Sequence, residues 1–345
     1  MHRRFFPGNA QAIGLGLTLI AAGCATPPRA ELRRYEFEEP QMGVPFRLVL
    51  YAENPAKANA GARAAFQRVA ALNRILSDYE ADSELTRLSR TAGSGRAVPL
   101  SADLWRVLAR AQEISRLSDG AFDVTVGPYV ALWRRARRQE ELPDPARLAE
   151  ARKAVGFENL ELLPRTRSAR LLVPKMRLDL GGIGKGYAVE EALKVLRGRR
   201  IARALVTAGG DMMAGEPPPG KRGWRIEVAP LDVTNAPPAC FVLLRRAAIS
   251  TSGDLFQRVE IGGKRYSHIV DPRTGFGLTD HSLVTVIAPD GMTADALAKA
   301  IGVPGPTAVR RLLARLPRVA ARIVRQPADR LEVYESPWFR SYLER

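Results

Sequence analysis

Three histidines occur in this 345-residue chain, and near neutral pH imidazole is the side chain most ready to take or give a proton. His2 falls in the leader described below, leaving His268 and His281. His268 stands in YSHIVDPRTG (266–275), where a strand-like run ends two residues before Asp271 and Pro272. A turn there presents either a general base or a histidine that only hydrogen-bonds its own loop. His281 has no such setting and reads as structural.

A second chemistry is anion binding. In LDLGGIGKGYAVEEAL (178–193) a strand-like RLDL runs through glycines into a helix, so backbone N–H groups at the helix start face outward. The spacing is neither a Walker loop, which needs Ser or Thr after Gly-Lys where Gly186 stands, nor a dinucleotide fingerprint. By mechanism alone the segment is equally a phosphate cradle or a tight packing turn. TAGGDMMAG places Gly209, Gly210 and Asp211 at another strand end, and AISTSGD (248–254) offers three hydroxyls and a glycine at a third. If these loops converge, hydroxyls, backbone donors and carboxylates together suit a phosphorylated nucleotide. Tyr79 in LSDYEADSEL and Phe122 in SDGAFDVTVGPYVALW either stack on a flat ring or belong to the core, as Trp133 does. Asp123, between apolar neighbours, must be paired or functional.

Those loops need elements to carry them. YEFEEPQMGVPFRLVLYA alternates as strands broken by Pro40 and Pro45. A helix follows with Phe66, Val69, Leu72 and Leu76 on one face. Ser101 caps a helix whose stripe is Leu104, Leu108, Ala111 and Ile114 and whose stop is Gly120; Asp144 and Pro145 open another that runs to about Val155. Seven strand-like runs fill most of the rest, with late helices in TADALAKAIG and TAVRRLLARLP. Strict strand-helix alternation is absent, so the reading is an α+β fold, one domain over residues 35–345, with a nucleotide cleft at strand ends.

Residues 1–23 read as a secretory signal, with Arg3 and Arg4 before an apolar run too short to span a bilayer. LIAAGCA ends it as a lipoprotein cleavage site does, making Cys24 a lipid anchor and 24–34, Pro-rich and charged, a tether. Ordinary secretion fits better than twin-arginine export. The expected place is the periplasmic side of a bacterial membrane. Cys240 then has no partner for an intramolecular disulfide and reads as an apolar residue. The net charge of +17 is spread without interleaved aromatics; with export, this argues against nucleic acid and for a surface near lipid head groups.

In order along the chain, SDYEADSEL, GAFDVTVGPYVALW, LDLGGIGKGYA, AGGD, AISTSGD, SHIVDPRTG and TVIAPDGMTADALAKAIGV resemble the ApbE family of FAD:protein FMN transferases, over roughly residues 40–305. The resemblance implies an enzyme that cleaves FAD, releases AMP and links FMN by a phosphoester to a threonine of an acceptor protein in a membrane redox complex. It places Met42, Tyr79, Ala121, Phe122, Asp123, Asp179, Lys185 and Ile269 around FAD, and His268 as general base for the threonine proton. It also implies Mg²⁺, held by the Gly182 carbonyl, Asp295 and a hydroxyl four residues on, where this chain has Lys299. Either water replaces that ligand, or the Lys299 ammonium supplies part of the metal's charge. Two rival functions stay open: an FAD pyrophosphatase releasing FMN and AMP, and a non-catalytic flavin-binding lipoprotein.

Overall fold

The runs RRYEFEEPQ and VPFRLVLYA pair as a hairpin of β1 (Arg33–Gln41) and β2 (Val44–Ala52) in a computed structural model that describes residues 31–231, 239–254, 258–303, 306–327 and 330–344. The leader and Cys24 lie outside the described residues. β1 begins two residues inside the segment read as tether. The chain continues through α1 (Pro55–Leu76), α2 (Glu84–Ser89), β3 (Val98–Pro99), α3 (Ala102–Leu117), α4 (Gly127–Gln139) and α5 (Pro145–Arg152). Then come β4 (Leu160–Leu163), β5 (Ser168–Leu171), α6 (Gly184–Gly198), β6 (Ala204–Ala208), β7 (Asp211–Ala214), β8 (Trp224–Val228) and β9 (Cys240–Leu244). The last elements are β10 (Ala247–Gly253), β11 (Arg258–Ile261), β12 (Lys264–Ser267), β13 (Ser282–Ala288), α7 (Gly291–Ala300), α8 (Pro306–Ala314), β14 (Ala320–Arg325) and β15 (Glu332–Glu335).

Eight strands form the main sheet in the order β1-β2-β6-β7-β10-β13-β14-β15, every neighbouring pair antiparallel. Both faces are covered, and the period of two in the strands decides which side chain goes where. Val206, Ala248 and Val286 join a core with α1, α6 and α7, while their neighbours Leu205, Ile249 and Ile287 join a second core beneath the β8–β9 ribbon. Helices on one face of an antiparallel sheet make this an α+β fold.

Most local expectations hold, with three departures. Pro40 and Pro45 do not break their strands; they face each other beside the turn. β1 is an edge strand and β2 meets β6 only from Phe46 onward, so the missing N–H groups cost the inner ladder nothing. RLDL is not a strand: only Arg177 makes a bridge, to Val126, and Asp179 donates its N–H to the Val124 carbonyl at 2.8 Å. α5 stops at Arg152, three residues short of Val155. The helix starts are as read: the Ser101 and Asp144 side chains accept from Leu104 and Arg147 N–H at 3.2 and 2.8 Å. Phe66, Val69, Leu72 and Leu76 are all buried under α1, each contributing about 1.5–3 kcal/mol of burial.

Candidate functional site

A cavity of about 700 Å³ opens where the β6–β7 turn, the end of β10, the start of α6 and the loop after β12 meet. Pockets of several hundred Å³ hold nucleotide-sized ligands. Its walls are held by three local structures, each with its own reason.

The glycine-rich turn makes the floor. α6 and α7 cross so closely that a Cβ on Gly186 would come 2.1 Å from the Gly291 carbonyl, so Gly186 is a packing glycine. That approach sets Asp295 of α7 beneath the turn, where its Oδ2 accepts the Gly186 N–H at 2.8 Å. Its Oδ1 pairs with the Lys299 ammonium. Lys185, in the first turn of α6, reaches Asp211 at 2.8 Å, and Ser250 Oγ donates to the same carboxylate at 2.6 Å. Burial would lower the Lys185 pKa, but the Asp211 and Asp295 carboxylates outweigh it and hold the ammonium above the usual lysine range. Asp211, which burial alone would raise, is held below the carboxylate range by Lys185 and Lys299. The floor is thus two ammoniums interlocked with two carboxylates.

The opposite wall is aromatic and acidic. Tyr79 is 77% exposed, with the Arg134 guanidinium 4.0 Å from its ring centroid. Arg134 also pairs with Asp78 at 2.6 Å and Asp179 at 3.2 Å. Burial, and then the Asp78 charge, push Asp179 up from its ordinary value. Phe122 is almost wholly buried and belongs to the helix-side core, although part of it reaches the cavity. Asp123 is 6% exposed, and burial pushes its pKa up to about 6 even though Thr125 donates both its N–H and its hydroxyl to Oδ1 at 2.7 Å.

His268 follows β12 directly, on a loop locked by its own turn. Ser267 N–H donates to Leu278 O at 2.7 Å, Leu278 N–H to Ile269 O at 2.9 Å, and Gly275 N–H to Asp271 O at 2.8 Å. Gly275 has φ +77°, and a Cβ there would meet the Tyr129 ring at 2.8 Å, so this turn requires glycine. From α4 the Trp133 indole N–H donates to Gly275 O at 2.8 Å. Packing of α4 and the loop therefore decides where the imidazole stands, at the cavity wall. His281 lies elsewhere, its Nδ1 2.9 Å from the buried Asp254 carboxylate and from Arg265, and it does not line the cavity.

Of the residues singled out by resemblance, Tyr79, Ala121, Phe122, Asp123, Asp179, Gly182, Lys185, His268 and Ile269 all line this one cavity. Met42 does not: it sits in the β1–β2 turn at φ +49° and packs against the helix-side core, while Val44 reaches the wall. Asp295 lies under the floor with no exposure. Sequence reading passed over Arg134, and its place one residue after Trp133 is the only local sign. Asp211 was noted at a strand end, but not as the partner of Lys185.

A hard divalent cation needs several oxygens with free lone pairs. Asp295 spends one oxygen on Gly186 N–H and the other on an ammonium, and among the described residues no group of three His, Cys, Asp or Glu is placed to hold a metal ion. With Lys299 where a hydroxyl would complete the set, these residues do not fit Mg²⁺.

The chain is similar to known proteins over most of its length. An FAD:protein FMN transferase of Klebsiella pneumoniae (strain 342) is 30% identical over 95% of this chain and 96% of its own length. One from Haemophilus influenzae is 34% identical over 68% and 69%. The solved flavin transferase ApbE of Vibrio cholerae superposes with a TM-score of 0.81 at 27% identity, covering 91% of this chain and all of the other. The ApbE family model matches residues 42–323, which span every wall of the cavity. This chain belongs to the ApbE family.

Proposed function

We propose that this chain is an FAD:protein FMN transferase. The flavin end of FAD lies toward Tyr79 and Phe122, with Asp123 and Asp179 as polar anchors, and the diphosphate lies over Lys185. A threonine hydroxyl of an acceptor protein gives its proton to His268, its oxygen bonds to the FMN phosphorus, and the bridging P–O bond breaks so that AMP leaves. The charge on the diphosphate is what the floor must offset, and preorganised cations do this without moving.

The observation that carries the reading is the meeting, in one cavity, of Tyr79, of Asp179 and Lys185 from the glycine-rich turn, and of His268, from three distant parts of the chain. The sequence of the leader supports a lipid on Cys24 and action at the periplasmic face of a membrane, with the acceptor a protein of a membrane redox complex. Among the described residues no helix is long and apolar enough to cross a membrane.

The test is incubation of the full chain with FAD and a candidate acceptor. Covalent flavin fluorescence on the acceptor supports a transferase. Free FMN and AMP would make the chain a pyrophosphatase, and unchanged bound FAD a carrier.

A further inference from the structure

Lys299 lies one helical turn beyond Asp295, and its ammonium is already seated on Asp295 Oδ1. Asp295 is wholly buried, while the Lys299 side chain is 16% exposed and lines the cavity. Its stem runs under the glycine-rich turn, close enough that a Cβ on Gly182 would lie 3.7 Å from Lys299 Cγ and 3.9 Å from Cδ. A full positive charge is therefore fixed at the carboxylate that underlies the turn, beside the second ammonium of Lys185. A divalent ion entering here would face both ammoniums and would have to displace the Lys299 ammonium from Asp295 Oδ1.

An incoming diphosphate meets the reverse situation. An ammonium carries three N–H donors, and the pair with Asp295 uses one. The others can turn to a phosphate oxygen while the buried carboxylate stays neutralised, so binding leaves no charge stranded. The Asp295 side chain anchors the ammonium as a ligand anchors a metal. Resting on the flavin reading of the cavity, we infer that the Lys299 ammonium is a tethered cation standing where a divalent metal would, so that this chain binds the diphosphate of FAD without magnesium.

The experiment measures FAD affinity of the full-length chain by flavin fluorescence quenching, in EDTA and in millimolar magnesium, and Mn²⁺ binding to the flavin-free chain by electron paramagnetic resonance. The wild-type affinity should agree between the two buffers within about twofold, and the flavin-free wild type should bind no Mn²⁺ at this site. Lys299→Thr, which frees Asp295 and adds a hydroxyl, should lose about tenfold or more of its affinity in EDTA, a loss typical of one charge-assisted contact, and regain it with magnesium. A wild type whose FAD affinity rises about tenfold with magnesium, or which takes up Mn²⁺ at this site, overturns the inference and leaves the flavin reading intact. If neither protein binds FAD in either buffer, the flavin reading itself fails. The two wild-type measurements decide the matter even if Lys299→Thr does not fold.

Discussion

The Arg134 guanidinium stacks 4.0 Å from the Tyr79 ring centroid and at the same time pairs with Asp179 at 3.2 Å. One side chain thus orders an aromatic ring that is otherwise 77% exposed and neutralises a buried carboxylate. Arg134→Leu removes a stacking contact worth about 0.5–2 kcal/mol and leaves Asp78 and Asp179 facing each other with less compensating charge. The expected result is a lower melting temperature and FAD affinity reduced about tenfold. Unchanged affinity in a fluorescence titration would remove Arg134 from the binding wall.

Asp123 makes a pH prediction. Its folded pKa of about 6 lies above its ordinary 3.8, so between these values the folded chain holds a proton that the unfolded chain has lost. Its contribution to stability is fully present below pH 3.8 and is lost as pH rises through about 6. The penalty at neutral pH is on the order of 3 kcal/mol. Asp123→Asn keeps an acceptor for Thr125 and removes the charge. Thermal melts should show the variant more stable than wild type at pH 7–8, with the difference vanishing near pH 4, while FAD affinity falls. Equal melting temperatures at neutral pH would contradict the burial argument.

His268→Ala separates chemistry from binding. As the proposed base for the threonine proton, its loss should lower covalent flavin transfer by about 100-fold or more and leave FAD affinity within a few-fold of wild type. In-gel flavin fluorescence and quenching titrations measure the two quantities. Transfer at the wild-type rate would assign the imidazole to the loop alone.

Gly186→Ala tests the helix crossing that puts Asp295 under the floor. The added methyl would lie 2.1 Å from the Gly291 carbonyl, and two backbones must part to admit it. A loss of about 1–3 kcal/mol or more is expected in denaturant unfolding. Gly220→Ala serves as a control because nothing lies near its Cβ, although its φ of +72° carries a smaller backbone cost. If Gly186→Ala is no worse than the control, the close crossing is not what fixes the turn.

Much of the molecule was legible one segment at a time. The stripe of α1 and the Ser101 and Asp144 caps follow from side-chain period and end chemistry, which are properties of short stretches. The prolines of the first hairpin misled because their cost depends on whether a neighbouring strand needs their N–H, and position in a sheet is not written locally. The glycine-rich turn was left between anion cradle and packing turn. At Gly186, packed against Gly291, it is a packing turn, while Gly182 lines the cavity.

By itself the sequence determined the ordered motifs, the elements that carry them and the presence of Lys299 four residues after Asp295, because these depend on residue type and spacing. Only the tertiary structure decided which charges meet: Arg134 with Asp179, Lys185 with Asp211, and Asp295 with both Gly186 and Lys299. Coulomb energies and desolvation depend on distance and burial, and except for the pair within one helical turn those distances exist only once sheet and helices have packed.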